Sequence, residues 1–190
     1  ALDYARNSGM RESVRFIKEA GAEITFTEES FRHLVKENDS LNLQSFLERG
    51  IDPDLEGFDY YEENMTGLIW AAARGYEEVC RVLLDAGADV HHETEDHETA
   101  LDKAYYEGHY DLCRMLFQYG ADTETRIGAT TILMSAIDDG DIEMIKVLLE
   151  AGVEVGRKVL DVIDSNNFAW NSDQREEIRK LIWRYTGQSG

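Results

Sequence analysis

The sequence predicts an all-helical solenoid of about six helix-turn-helix units, and three spacings predict it. Gly87-Ala88-Asp89, Gly120-Ala121-Asp122 and Gly152-Val153-Glu154 recur at 33 and 32 residues. Thr66, Thr99 and Thr131 each stand 21 residues before one of those glycines. Gly75, Gly108 and Gly140 fall nine residues after the threonines. A fixed period near 33 residues specifies a stack of like units without a central pocket, and a stack of that kind offers a long surface to other molecules.

The same ruler runs toward the N-terminus. Counting 21 back from Gly50 lands on Glu29, and from Gly21 it lands just before Ala1. The +5 position then reads Ala5, Leu34, Ala71, Ala104 and Ala136. The +14 position reads Val14, Leu43, Cys80, Cys113 and Ile145, and +17 reads Ile17, Phe46, Leu83, Leu116 and Leu148. The units fall at about 1–28, 29–60, 61–93, 94–126, 127–157 and a cap at 158–190, all within one domain.

In each unit a threonine opens a first helix by capping its free N–H groups. In the clearest copy, Ala71, Ala72 and Ala73 allow a neighbouring helix to approach, and Gly75 ends the helix in a left-handed turn. A second helix follows over 77–85, where Val79, Cys80, Leu83 and Leu84 form one apolar stripe. Gly87 stops it, and Ala88-Asp89-Val90 leads into a turn or short hairpin. In the last unit Val159 to Ile163 continue the ladder and Ser172 to Arg184 close it. There Ile178, Leu181 and Ile182 face inward, with Arg175, Glu176, Glu177, Arg179 and Lys180 in water.

Thr66-Gly67-Leu68-Ile69-Trp70-Ala71 and Thr99-Ala100-Leu101-Asp102-Lys103-Ala104 resemble the Thr-Pro-Leu-His-x-Ala box of ankyrin repeats. Leu83-Leu84-Asp85-Ala86-Gly87-Ala88-Asp89-Val90 is similar to the end of the ankyrin second helix. The resemblance covers about residues 1–155, with a degenerate last repeat beyond. Gly67, Ala100 and Ile132 replace the box proline, and Ile69, Asp102 and Met134 replace its histidine. The resemblance implies a concave groove lined by first helices and flanked by finger-like connections, the usual place of partner contact. Carried over by position, that groove shows Glu62, Glu63, Met65 and Arg74, then Glu95, Asp96, Glu98, Tyr106 and Glu107, then Thr130, Asp138 and Asp139.

Charge gives this surface a character. There are 39 acidic and 19 basic residues, a net charge of −20. Such a balance opposes direct contact with nucleic-acid phosphates and favours basic partners. The connection from Gly50 to Thr66 is 16 residues long, against 12 and 11 in the next two units. It carries Asp52, Asp54, Glu56, Asp59, Glu62 and Glu63, with Phe58, Tyr60 and Tyr61 and no basic residue. Carboxylates interleaved with tyrosines suit a protein surface rich in Lys and Arg, because tyrosine adds contact area and cation–π attraction. The expected function is therefore non-enzymatic protein binding by a chain that is monomeric by itself. The alternative of another class is an inhibitor or immunity protein that neutralises a basic enzyme, such as a nuclease toxin, by charge mimicry. A structural tether whose acidity only maintains solubility is a third possibility.

Other chemistry is weakly signalled. Asp52-Pro53-Asp54-Leu55-Glu56-Gly57 with Glu63 in twelfth place approaches a calcium loop. Glu at the fifth position, Asp59 at the eighth and the lack of an exiting helix point instead to an acidic insertion. His91, His92 and His97 lie among carboxylates without helical pairing and read as a solvated finger rather than a zinc or nickel site. No metal or other cofactor is expected. Neither G-x-S-x-G nor H-E-x-x-H occurs, and no Gly-rich phosphate loop follows a strand. Single His33 and His109 read as surface or turn positions, His109 matching a structural site of the repeat.

Cys80 and Cys113 occupy one position of adjacent units. Stacked helices lie ~8–10 Å apart, too far for a disulfide, which needs Cα atoms within ~7 Å. They are expected to be buried thiols in a reducing, cytoplasmic setting. No apolar run approaches the ~18 residues of a membrane helix, and no charged-then-apolar leader opens the sequence. The absent initiator Met and the Gly187-Gln188-Ser189-Gly190 tail point to processing or to excision from a longer chain.

Overall fold

Threonine hydroxyls start the first helix of four successive units. Thr27 accepts from the Ser30 amide at 3.1 Å and opens α1, Glu28–Lys36. Thr66 accepts from Ile69 N and opens α3, Gly67–Ala72. Thr99 accepts from Asp102 N and opens α5, Ala100–Tyr106. Thr131 accepts from Met134 N and opens α7, Ile132–Asp139. The structure is a computed structural model that describes residues 27–58, 64–123, 126–127, 130–164 and 172–187. The unit expected at 1–28 therefore lies almost wholly outside the described residues.

Each first helix turns back through a residue in the left-handed region: Asn38 (φ 57°), Gly75 (66°), Gly108 (73°) and Gly140 (69°). At Gly75 the requirement is double, since an added Cβ would lie 2.8 Å from the His109 imidazole. His109 thus has the structural place expected of it, packed across one repeat onto the neighbouring turn. The second helices follow as α2 (Ser40–Leu47), α4 (Glu77–Asp85), α6 (Tyr110–Gln118) and α8 (Ile142–Glu150). The chain closes with α9, Arg157–Asp164, and α10, Ser172–Thr186.

Helices of six to nine residues are marginal alone, so packing holds them. α1, α3 and α5 stack on one another; α2 packs on α4, and α6, α8 and α10 form a second row. Between the rows runs one apolar core that includes Phe31, Leu43, Leu68, Leu83, Leu101, Leu116, Ile137 and Leu148. Ala71, Ala104 and Ala136 are fully buried, as close helix approach demands. Cys80 and Cys113 are buried free thiols. Burial raises both pKa values, that of Cys113 to about 12, so neither is a ready thiolate.

Two details differ from the sequence ruler. α1 starts from Thr27 rather than Glu29, because a hydroxyl at that end can accept from the first turn while Glu29 suits the turn itself. The longer α1 seats Phe31 and Val35 in the core and leaves Leu34 half-buried. In the cap, Ile178, Leu181 and Ile182 are buried and Glu176, Glu177, Arg179 and Lys180 are exposed, whereas Arg175 is half-buried. One connection forms a short hairpin, β1 (Arg126–Ile127) antiparallel to β2 (Thr130–Thr131) with Ile127 opposite Thr130. Apart from this ribbon the described residues form an all-helical solenoid of helix-turn-helix units.

Candidate functional site

The repeat places equivalent residues in a row, and the C-terminal ends of the first helices form one such row of exposed charge and aromatic surface. It comprises Lys36 and Glu37, then Arg74, then Tyr106 and Glu107, then Asp138 and Asp139, all exposed. Tyr106 is 58% exposed. Its ring lies 5.7 Å from that of Tyr105, whose hydroxyl donates to Asp139 Oδ2 at 3.1 Å and so ties α5 to α7. Burial raises the Asp138 carboxyl above its ordinary value, and the Asp139 charge adds to this. Burial, then the Asp102 and Glu98 charges, also raise Tyr106.

At the other end the row is cationic and aromatic. The Arg74 guanidinium lies 3.3 Å from the Trp70 ring centroid and donates from Nη1 to Trp70 O. Lys36 Nζ stands 4.9 Å from the same centroid. Phe58 packs beneath, 6.5 Å from Trp70 and 6.1 Å, edge-on, from Phe31. Neither Lys36 nor Trp70 stands out in the sequence, because the repeat pattern leaves their positions variable; only a helical-face comparison across units brings them together.

Of the groove residues expected from sequence, Glu95, Asp96, Tyr106, Glu107, Asp138, Asp139 and Arg74 are exposed. Glu98 is half-buried and its carboxylate pairs with the Lys103 ammonium. Tyr60, Tyr61, Glu62 and Glu63 lie outside the described residues. Met65 requires correction: it is 5% exposed and belongs to the core, because its backbone O accepts from Phe58 N and draws the strand of chain inward. Phe58 is likewise core, 1% exposed, and Gly67 leaves it room, since a Cβ there would come within 3.1 Å of its ring.

The fingers are tied at their bases. Arg32 Nε donates to Glu56 O at 2.7 Å, and Asp89 N donates to Asp54 Oδ1 at 2.9 Å. Burial, partly offset by that amide bond, raises the Asp54 carboxyl. His92 Nε2 lies 3.0 Å from Asn64 O. In the next finger, buried Thr94 exchanges hydrogen bonds with Glu98 and accepts from His97 N, holding Glu95 and Asp96 at the exposed tip. Asp52 accepts from Asp54 N, so Asp52 and Asp54 of the calcium-like stretch engage backbone N–H groups, whereas Glu56 Oε1 lies 3.6 Å from His92 Nε2. Among the described residues no group of three His, Cys, Asp or Glu side chains is arranged to hold a metal ion.

A second set of carboxylates serves the stack. Tyr110 donates to Asp141 at 2.8 Å, Tyr119 donates to Asp85, Arg114 donates to Glu150 at 3.0 Å, and Tyr185 reaches Glu150 at 3.5 Å. Each bond crosses one repeat. The Asp141 bond, with burial, raises the Tyr110 pKa to about 12.

Among the described residues no helix is long and apolar enough to cross a membrane. No curated protein matches the chain. A crystal structure of an ankyrin repeat domain from Acinetobacter baumannii AYE is similar in fold, with a TM-score of 0.67 at 21% identity over 97% of this chain and 96% of that one. The family model for ankyrin repeats, in three copies, matches residues 31–127. Repeats of this kind mark a protein–protein interaction module and are typically non-enzymatic scaffolds. With that match spanning just over half of its length, and with capped helix pairs returning at the expected period, the chain belongs to the ankyrin repeat family.

Proposed function

We propose that this chain is a non-enzymatic module that binds a basic protein surface through the exposed carboxylates and tyrosine of its first-helix ends and finger tips. The observation that carries the reading is Tyr106, 58% exposed and followed along the row by Glu107, Asp138 and Asp139, with Glu95 and Asp96 on the adjoining finger. An exposed tyrosine flanked by carboxylates offers a flat contact surface and an acceptor field for Lys and Arg. The rigid stack presents these groups without a folding cost on association. Distributed carboxylates also raise the encounter rate with a cationic partner. We extend the reading to a cytoplasmic protein that is monomeric until its partner binds.

The test is a charge reversal. The quadruple variant Glu95→Lys, Asp96→Lys, Glu107→Lys and Asp138→Lys is assayed for binding to a lysine-rich peptide and to basic proteins retained from native lysate. Loss of binding with an unchanged thermal transition supports the proposal, and undiminished binding by the folded variant overturns it.

A further inference from the structure

The row of first-helix ends does not carry one sign of charge. Toward α7 it holds Glu107, Asp138 and Asp139, all exposed and without a basic residue among them. Toward α1 it holds Lys36 and Arg74, both over the Trp70 indole, at 4.9 Å and 3.3 Å from its centroid. Among the described residues neither of these cations has a carboxylate within ion-pair distance, in a chain where acidic residues outnumber basic ones 39 to 19. The neighbouring basic groups are different: Arg32 is paired with Glu28, and Lys103 with Glu98. Glu37, beside Lys36, keeps the α1 end near neutral, so the positive lobe centres on Arg74.

Building on the protein-binding reading above, we infer that this face takes a protein segment of split charge. Its carboxylates lie over Lys36 and Arg74, and its lysines or arginines lie over Glu107, Asp138 and Asp139. The polarity of the row fixes which end of the segment faces which end of the stack. A partner that is basic throughout would leave Lys36 and Arg74 opposed by like charge, and like charges in a contact select against that partner. The indole contact and the bond to Trp70 O hold the guanidinium in place, so this cation is already ordered when a carboxylate arrives. Helices ~8–10 Å apart make the row from α1 to α7 about 30 Å long, which about nine extended residues at ~3.3–3.6 Å each can span.

Three labelled peptides of about ten residues test this, with lengths set by that span. One carries three glutamates, a Gly/Ser spacer and three lysines; the second has glutamines for the glutamates; the third alternates the charged residues of the first. The split-charge peptide should bind tighter than the glutamine peptide by about fivefold, the effect of two modest surface ion pairs. It should also bind tighter than the alternating one. In Lys36→Glu/Arg74→Glu, checked for an unchanged thermal transition, the order of the first two should reverse; Arg74→Gln should only abolish the difference. If the glutamine peptide binds as well as the split-charge one, the inference fails while the basic-partner reading stands. If no peptide binds, both fail.

Discussion

At the residue scale the repeat is held by positions where one side chain is constrained twice. Gly75 has φ of 66° and faces the His109 imidazole at the distance of a missing Cβ. Gly75→Ala therefore meets both backbone strain and a clash, and a destabilisation of about 1–3 kcal/mol is expected. His109→Ala in the same chain should recover part of that loss but not the part due to φ. A double-mutant cycle by urea denaturation measures both. Full recovery would show that the clash alone matters.

Asp102 is constrained by burial. Its Oδ2 accepts from Thr99 N and Oγ1, each at 2.7 Å, while Oδ1 is buried without a partner. Burial, reinforced by the Glu98 and Glu93 charges and opposed by the Thr99 bonds, holds the carboxyl above its ordinary value. The folded state thus favours the protonated acid. The stability this contributes is complete below the unfolded pKa of about 3.9 and is lost as pH rises through the folded value. Asp102→Asn is neutral throughout, so the stability of the native chain relative to this variant should fall as pH rises across that window. Denaturant midpoints at a series of pH values check it, and a constant difference would rule it out.

At the scale of elements, caps and left-handed turns set the helices' bounds. Thr99 lies in a reciprocal capping box with Asp102, whereas Thr66 makes one amide bond and no box. Both Thr→Ala variants should lose about 1 kcal/mol or somewhat more, with the larger loss at Thr99, as read from thermal or urea transitions; equal losses would mean that the box adds nothing. These elements were legible because threonines and glycines recur at a fixed distance. The second helix of the clearest unit, Glu77–Asp85, has the bounds that its apolar stripe and the following glycine imply. Legibility stopped where the period stopped. The long connection before Thr66 has no counterpart in other units, so nothing in its sequence distinguished buried Phe58 and Met65 from surface aromatics and contacts. The Lys36–Trp70–Arg74 cluster was hidden for another reason: Lys36 lies one repeat before Trp70 and Arg74 and meets them only when α1 and α3 stack.

At the scale of the whole molecule, one charge has two opposite consequences. A net charge of −20 on a folded chain of 190 residues repels itself, and compactness raises that repulsion relative to the extended chain. Some carboxylates are quieted by tyrosine hydroxyls and arginines across repeats, as at Asp141 and Glu150, but those at the first-helix ends remain exposed. Raising salt from ~10 mM to ~150 mM shortens the screening length from ~30 Å to ~8 Å. Self-repulsion weakens over that range, so Tm should rise. Association with a cationic peptide draws on the same long-range field and should weaken over the same range, chiefly through a slower on-rate. One salt series, read by thermal unfolding and by peptide binding kinetics, should therefore give slopes of opposite sign. A Tm that falls with salt would mean that the cross-repeat ion pairs outweigh the net repulsion, and an on-rate indifferent to salt would remove the charged row from the encounter.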